Sequence, residues 1–125
     1  VEEIDDDVER LIEARRPAMA FTLGGMGSAK TNFYNDAFKR DGYAEAAEEV
    51  QALWVSGDKE AAIRAVPDEM VLKTNLIGTR EMIVERIKAY AAAGVTTLRI
   101  STSGRNWRER TETLAEATDL IHSIQ

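Results

Sequence analysis

The residues best able to do chemistry fall into short polar groups, and the first is a glycine-rich stretch, Gly24–Gly25–Met26–Gly27–Ser28. Backbone N–H groups in such a turn can cradle a phosphate. The stretch lacks the lysine and the spacing of a P-loop, and it does not clearly follow a strand. These residues therefore favour an ordinary turn or helix break over a phosphate site.

A second group, Asn32, Tyr34 and Asn35, opens a predicted helix just after this turn. Its amide and phenol groups could hydrogen-bond a small-molecule substrate, and these three residues are our candidates for substrate binding. Residues of this kind more often cap a helix and pack it against its neighbours. The sequence leaves both interpretations open.

A third group, Ser101, Thr102, Ser103 and Gly104, lies between a predicted strand and a predicted helix. A strand-to-helix loop beside a helix N-terminus offers free N–H groups to an anion. These four residues are candidates for cofactor binding, and an ordinary polar loop is the alternative. Arg99 could also reach an anion, although a solvent-facing side chain or a structural ion pair is favoured there.

The chain lacks the residues that several other kinds of catalytic chemistry require. The chain has no Cys and one His, His122, which excludes disulfides, thiolate sites and a His-based metal site within one chain. His122 is better explained as a favourable residue near a helix C-terminus. We find no nucleophile–base pair and no acid–base couple, so we predict no catalytic residue and no metal.

Composition and charge narrow the class of protein further. The chain is 44% hydrophobic and 30% charged, as a soluble globular protein is. Its net charge is −6 with dispersed basic residues, which argues against nucleic-acid binding. The longest uncharged run, Pro17 to Ala29, is too short to span a membrane. With no signal peptide in view and no Cys, we expect a cytoplasmic protein.

Periodicity predicts helices over most of the first two thirds of the chain. A helix is expected from Val1 to about Arg16 with Asp5 to Asp7 in its first turn, and Pro17 should interrupt or kink it. Ala18 to Leu23 could be helix or strand. The further helices expected are Asn32 to about Arg40 and Tyr43 to Val55, ended by left-handed glycines Gly42 and Gly57, then Asp58 to Ala65 and Pro67 to about Leu72.

The last third reads as helix, strand, helix. Thr79 should cap a helix from Arg80 to Ala93, ended by Gly94, and Val95 to Ser101 should be a strand. A capping-box-like start at Asn106 and Glu109 opens the final helix, which runs to about Ser123. One stripe of this helix carries Trp107, Thr111, Leu114, Thr118 and Ile121. Trp54 and Trp107 are interpreted as packing residues.

These elements are mostly helical with one confident strand. One strand cannot satisfy the hydrogen-bonding groups of its own backbone. A helix, a strand and a helix joined by short connections form the repeating unit of parallel α/β proteins. The sequence therefore predicts an α/β protein whose partner strands are missing or come from another chain. The start at Val1, without Met, also suggests a piece of a longer protein.

Several segments together resemble the late region of luciferase-like monooxygenases, and most of all the class that uses the deazaflavin coenzyme F420. The combination GGMG followed by NFYND is fairly specific, whereas AGVTTL is weaker. The segments are Pro17–Phe21, Leu23–Gly27, Asn32–Asp36, Gly42–Tyr43, Ala65–Glu69, Leu76–Thr79 and Ala93–Leu98.

The resemblance implies a C-terminal fragment of a (β/α)₈ TIM barrel of roughly 250 residues. Residues 1–78 would be a helical segment or insertion and residues 79–125 the final helix–strand–helix unit. Thr96–Ser101 would be the eighth strand, which puts residues 101–104 at the rim of the cofactor pocket, because barrel enzymes place their chemistry at the carboxyl ends of strands.

The implied parent enzyme is a flavin- or F420-dependent oxidoreductase, with F420 or FMN as cofactor and a small-molecule substrate. It would transfer a hydride or activate oxygen, while this chain alone would be inactive. The alternative is a self-standing helical module for dimerisation or protein interaction. An uncovered strand edge invites self-association, so a dimer or larger assembly is expected.

Overall fold

A computed structural model describes residues 3–28, 30–102 and 104–124 of the chain. They form two compact units: the central unit, residues 12–73, and the terminal unit, which joins residues 3–11 with residues 74–124. The division into residues 1–78 and 79–125 concerns placement within a barrel, and it stays a prediction.

The described residues are mostly helical, with one pair of short strands. A kinked turn, Lys39–Tyr43, leads from the second helix into the third, with non-helical backbone angles at Gly42. The elements in chain order are β1 Glu3–Ile4, α1 Val8–Gly24, α2 Phe33–Phe38, α3 Ala44–Ser56, α4 Lys59–Arg64, α5 Asp68–Thr74, β2 Ile77–Gly78, α6 Arg80–Ala92 and α7 Trp107–His122.

The two strands of the terminal unit are parallel, with Glu3 opposite Ile77 and Ile4 opposite Gly78. The Asp5 N–H donates to the Gly78 carbonyl at 3.0 Å, which extends the ladder by one bond. Each strand is followed by a helix, α1 after β1 and α6 after β2. This arrangement places the terminal unit in the α/β class.

The start of α1 differs from the sequence prediction, which was wrong in beginning the helix at Val1. The Asp5 carboxylate accepts the Asp7 N–H at 2.8 Å, and the Asp7 carboxylate accepts the Arg10 N–H at 3.1 Å. Asp5 and Asp7 thus form a turn and a cap ahead of the helix, as short acidic side chains favour. The helix then continues through Pro17, so Ala18 to Leu23 is helical.

The helices of the central unit bury one apolar face each. On α1 the buried residues Ile12, Met19 and Leu23 recur at helical spacing, and Ala47 and Val50 do so on α3. Gly42 and Gly57 have φ angles of 94° and 95°, as the sequence predicts for left-handed helix ends. Further buried residues of this unit are Ala20, Ala62, Val66, Met70 and Val71.

The core of the terminal unit lies between its two long helices. Ile83 and Ile87 of α6 pack with Ala117 and Leu120 of α7. Thr79 caps α6 by accepting the Met82 N–H at 3.3 Å, which confirms the predicted cap.

The predicted strand at residues 95–101 does not appear as a strand. Leu98 and Ile100 are half-buried and pack on the α6–α7 core, whereas Thr97, Arg99 and Ser101 are exposed. The side chains therefore alternate as in a strand with one covered face. The prediction fails because a strand also needs a hydrogen-bonded partner, and no described residue supplies a ladder to this segment.

The two tryptophans behave differently. Trp54 is half-buried and packs edge-on against Phe21, with ring centroids 5.8 Å apart, so its packing role is confirmed. Trp107 is 75% exposed, and Leu114 on the same stripe is 46% exposed. The packing prediction for Trp107 is wrong, because the buried face of α7 is the one carrying Ala117 and Leu120.

Candidate functional site

The loop that enters α7 is closed by its own side chains. The Asn106 side-chain oxygen accepts the Glu109 N–H at 3.0 Å, and the Glu109 carboxylate accepts the Arg105 N–H at 2.8 Å. The predicted cap therefore forms, with its return bond made to Arg105 instead of Asn106. A guanidinium nitrogen of Arg105 lies 3.0 Å from the same carboxylate.

These contacts set the charge at the start of α7. The Arg105 backbone N–H, and then the Arg105 side chain, hold the pKa of Glu109 below its ordinary value. A carboxylate thus occupies the position beside the helix N-terminus that favours an anion. Two of the N–H groups expected to be free for a ligand are bonded within the chain.

The predicted cofactor residues lie in different surroundings. Ser101 is exposed and Thr102 half-buried, and neither side chain is hydrogen-bonded to another residue within 3–28, 30–102 or 104–124. Gly104 packs so closely on α7 that an added Cβ would lie 2.8 Å from Cγ of Arg110. Ser103 lies outside the described residues. Cofactor contact by this group stays a prediction.

Ser101 and Gly104 line separate cavities of the terminal unit. Ser101 lines a cavity of about 340 Å³, and Gly104 lines one of about 690 Å³ that is rich in carboxylates. At the edge of the larger cavity, Arg10 donates to Glu3 at 2.9 Å and to Asp5 at 2.7 Å. The Asp7 N–H and then Arg10 lower the pKa of Asp5.

The predicted substrate residues lie in the central unit, and two of them are buried. The Asn32 amide donates to the Leu23 carbonyl at 2.8 Å, and the Asn35 amide donates to the carbonyls of Leu23 at 3.0 Å and Ala47 at 2.7 Å. Asn32 also caps α2 by accepting the Asn35 N–H. Both side chains therefore tie the end of α1 to its neighbours.

Tyr34 differs from these asparagines, because it is 46% exposed. Its ring meets that of Phe33 edge to face at 5.9 Å. The structure brings Asn32 and Asn35 together through direct hydrogen bonding. Substrate binding by the three residues stays a prediction, since the contacts show what positions them and not what they bind.

The glycine-rich stretch serves helix packing, which the sequence did not reveal. An added Cβ on Gly24 would lie 2.3 Å from Cβ of Trp54, so α1 and α3 approach closely at this point. Gly27 has a φ angle of 109°, which suits glycine in the turn that follows. A glycine followed by a distant tryptophan carries no local signal, because the contact joins two different helices.

Two general observations concern the same described residues. None of their helices is both long and apolar enough to cross a membrane. No group of three or more of their His, Asp and Glu side chains is placed to hold a metal ion.

The parallel strand pair, with a helix after each strand, defines an α/β protein, and comparison with known proteins identifies its family. Residues 4–97 match the luciferase-like monooxygenase family, which is well over half of the chain. The chain therefore belongs to this family. No solved structure matches it.

A curated relative comes from Mycobacterium tuberculosis (strain H37Rv) and is named "Putative coenzyme F420-dependent oxidoreductase Rv3520c". It is 36% identical to this chain over 93 residues, which is 74% of this chain. The matched part covers only 27% of the relative's length. The chain thus spans about a quarter of that protein.

Proposed function

We propose that this chain forms the C-terminal part of an oxidoreductase that uses F420 to transfer a hydride to or from a small molecule. In the alternative form of this proposal, the cofactor is FMN and the enzyme activates oxygen. The observation that carries it is the family match over residues 4–97. The relative whose name specifies coenzyme F420 supports the choice of cofactor.

The topology of the terminal unit supports a place in a barrel. Its two strands are parallel, and α1 and α6 begin just beyond their carboxyl ends. A (β/α)₈ barrel repeats this unit and places its chemistry at those ends. In the proposal, residues 96–101 provide the eighth strand and α7 the eighth helix.

The side chains between residue 101 and the start of α7 fit a cofactor in part. The hydroxyls of Ser101 and Thr102 have no hydrogen-bond partner within the described ranges, so they can bond a polar edge of a flavin or deazaflavin ring. The start of α7 fits an anionic group less well, because Glu109 already occupies it. When bound, F420 would supply the hydride chemistry, and Ser101 and Thr102 would help to hold and orient it.

A chimera tests the proposal. The residues of this chain that match the Mycobacterium tuberculosis relative replace the matched segment of that protein, and binding of F420 and FMN is followed by fluorescence titration. We expect a folded chimera that binds one F420 per chain, as the intact relative should in parallel. A folded chimera that binds no F420, beside a relative that does, would contradict the proposal.

The chain by itself should be inactive, since most of a barrel pocket would be supplied by other residues. Titration of the isolated chain with F420 and with FMN checks this. We expect weak, non-stoichiometric binding. Tight one-to-one binding would show that the pocket lies within these residues and has been misplaced.

A second candidate function is a helical module that associates with itself or with another protein. One observation favours it: residues 96–102 form no main-chain hydrogen bond with each other or with the rest of the described chain. Unpaired backbone groups of this kind attract a strand from another molecule.

A further inference from the structure

The helix α7 has a second apolar stripe, apart from the face that packs on α6. The buried residues Ala117 and Leu120 mark the packed face. On the outer face, the Trp107 side chain is 75% exposed and that of Leu114 is 46% exposed. The residues of the outer face of α7 are all exposed and recur at helical spacing, and they are Trp107, Thr111, Leu114, Ala115 and Thr118.

The two threonines make this face more apolar than their residue type indicates. The Thr111 hydroxyl donates to the Trp107 carbonyl at 2.8 Å, and the Thr118 hydroxyl donates to the Leu114 carbonyl at 2.8 Å. A hydroxyl proton that is bonded back to the helix needs no acceptor in a partner. The outer face therefore offers a partner mainly an indole ring and methyl groups.

One flank of this face carries opposite charges at its two ends. Arg108 lies in the first turn of α7 and Asp119 in its last turn, and both are exposed. Neither side chain forms an ion pair with any residue that the structure describes. Their separation of about three helical turns puts them on the same side of the helix. Both charges are thus available to a partner that covers the outer face.

The order of these charges decides how two copies of α7 would pack. In an antiparallel pair related by a two-fold axis, the same flank of both helices meets, and the first turn of one lies beside the last turn of the other. Arg108 of each copy then faces Asp119 of the other copy, and both pairs attract. In a parallel pair, Arg108 would instead face the flank that carries Arg110, and these charges repel.

We propose that the outer face of α7 binds the same face of a second copy in antiparallel orientation, with the two-fold axis between Thr113 and Leu114. A second copy fits because it presents a matching apolar stripe and the complementary order of charges. The contact is made by side chains, so it is separate from the unpaired backbone of residues 96–102. It goes beyond the oxidoreductase function and does not rest on it.

The contact should be weak. A helix of 16 residues is about 24 Å long, and it buries less than the roughly 800 Å² per partner of a standard interface. We therefore expect a dissociation constant of about 10 μM to 1 mM. Thr97→Pro is the background for each measurement, because it removes a backbone donor from residues 96–101 and leaves α7 in place. Circular dichroism confirms that each variant is helical.

Sedimentation equilibrium of the Thr97→Pro chain should show a reversible exchange between monomer and dimer. Arg108→Asp or Asp119→Arg alone should weaken the dimer about fivefold or more, whereas both together exchange the charges and should restore the affinity. Each substitution introduces a charge that its end of the helix favours, so loss of the helix would not explain the weakening. Arg40→Asp makes the same change of net charge in the central unit and should leave the affinity unaltered.

Disulfide cross-linking reports the orientation, because the chain has no Cys of its own. About the proposed axis, Thr111 of one copy lies beside Ala115 of the other. With oxidised glutathione, Thr111→Cys mixed with Ala115→Cys should therefore cross-link faster than either variant alone.

Four results would each overturn the proposal. They are a Thr97→Pro chain that stays monomeric at about 1 mM, no recovery when the charges of Arg108 and Asp119 are exchanged, equal weakening by Arg40→Asp, and faster cross-linking of Thr111→Cys with itself than with Ala115→Cys.

Discussion

At the scale of single residues, the contact between Gly24 and Trp54 explains a motif that the sequence could only describe. Gly24 is buried at the end of α1, and an added methyl group would overlap Cβ and Cγ of Trp54 at 2.3 and 2.5 Å. Helix propensity favours alanine there by about 1 kcal/mol. The overlap is severe enough to outweigh that gain.

Gly24→Ala should therefore destabilise the central unit by about 1–3 kcal/mol. In a Trp107→Phe background, fluorescence reports Trp54 alone, and urea unfolding then measures the change. Ala14→Ser adds one atom to the exposed face of the same helix and should stay within about 0.5 kcal/mol of wild type. Equal stability of Gly24→Ala and wild type would show that α1 and α3 separate readily.

A second residue, Glu109, should make stability depend on pH. Its pKa is lowered from the ordinary value of 4.5 by the Arg105 backbone N–H and then by the Arg105 side chain. A carboxylate with a lowered folded-state pKa stabilises the fold above the unfolded-state value. That contribution is lost as the pH falls through the lower, folded-state pKa.

Glu109→Gln keeps a hydrogen-bond acceptor and removes the charge. At pH 7 the variant should melt below wild type, and the difference should shrink as the pH falls below about 4.5 and through the lowered pKa. Melting followed by circular dichroism from pH 7 to pH 3 checks this. Glu112→Gln on the same helix is the control. A difference that is constant over this range would show that the charge of Glu109 does not matter.

The candidate site shows that the burial and the hydrogen-bond partners of a single residue cannot be predicted from its neighbours in the sequence. Asn32 and Asn35 are compatible with ligand binding or with capping, and their burial decides which partners they have in this chain. Burial depends on α1 and α3, which carry the carbonyls of Leu23 and Ala47. No pattern within residues 32–35 contains that information.

At the scale of elements, Arg16 links α1 to Val66, just before α5, and to Asp68, the first residue of α5. Its guanidinium donates to the Val66 carbonyl and to the Asp68 carboxylate, and also to Glu13 at 2.7 Å. The side chain is only 13% exposed. The contact spans two parts of the central unit that are far apart in sequence.

Arg16→Met keeps an unbranched, largely apolar side chain and leaves the Val66 carbonyl without this donor, so we expect a loss of about 1–3 kcal/mol. Urea unfolding measures it. Arg64→Met is the matched control, because Arg64 and Glu60 are exposed and 4.0 Å apart, and such pairs contribute about 0–1 kcal/mol. The prediction fails if both substitutions have the same small effect.

The N-caps of the helices were the features best predicted from the sequence. Asp58, Thr79 and Asn106 each accept an N–H three residues ahead, as expected from local sequence. The strands were less predictable, because β1 and β2 exist only through each other. At residues 95–101 the alternating side chains are a local property, but the missing ladder is not.

At the scale of the whole molecule, residues 96–102 and the outer face of α7 are two uncovered surfaces. The first lacks main-chain partners among the described residues, and the second exposes Trp107 and Leu114. We propose that the chain self-associates by pairing the 96–101 segment with its copy, because unpaired backbone groups gain most from a second strand.

Light scattering on size-exclusion fractions should show a dimer or larger species. Thr97→Pro removes a backbone donor and should shift the chain toward monomer, whereas Thr97→Val keeps the β-branched shape and should not. A monomeric wild type at high concentration would refute the proposal. Dissociation by Trp107→Ser with Leu114→Ser, but not by Thr97→Pro, would assign the contact to α7 instead.

The pairing of β1 with β2 also has a consequence for synthesis of the chain on the ribosome. Residues 12–73 are contiguous, so the central unit can fold as soon as it has emerged. Glu3 and Ile4 of β1 emerge earlier but find their partner strand only when Ile77 and Gly78 of β2 have emerged. Chains emerge from their N-terminus at roughly 5–20 residues per second. β1 therefore cannot pair until β2 has been made, and a nascent-chain chaperone would find it exposed in the meantime.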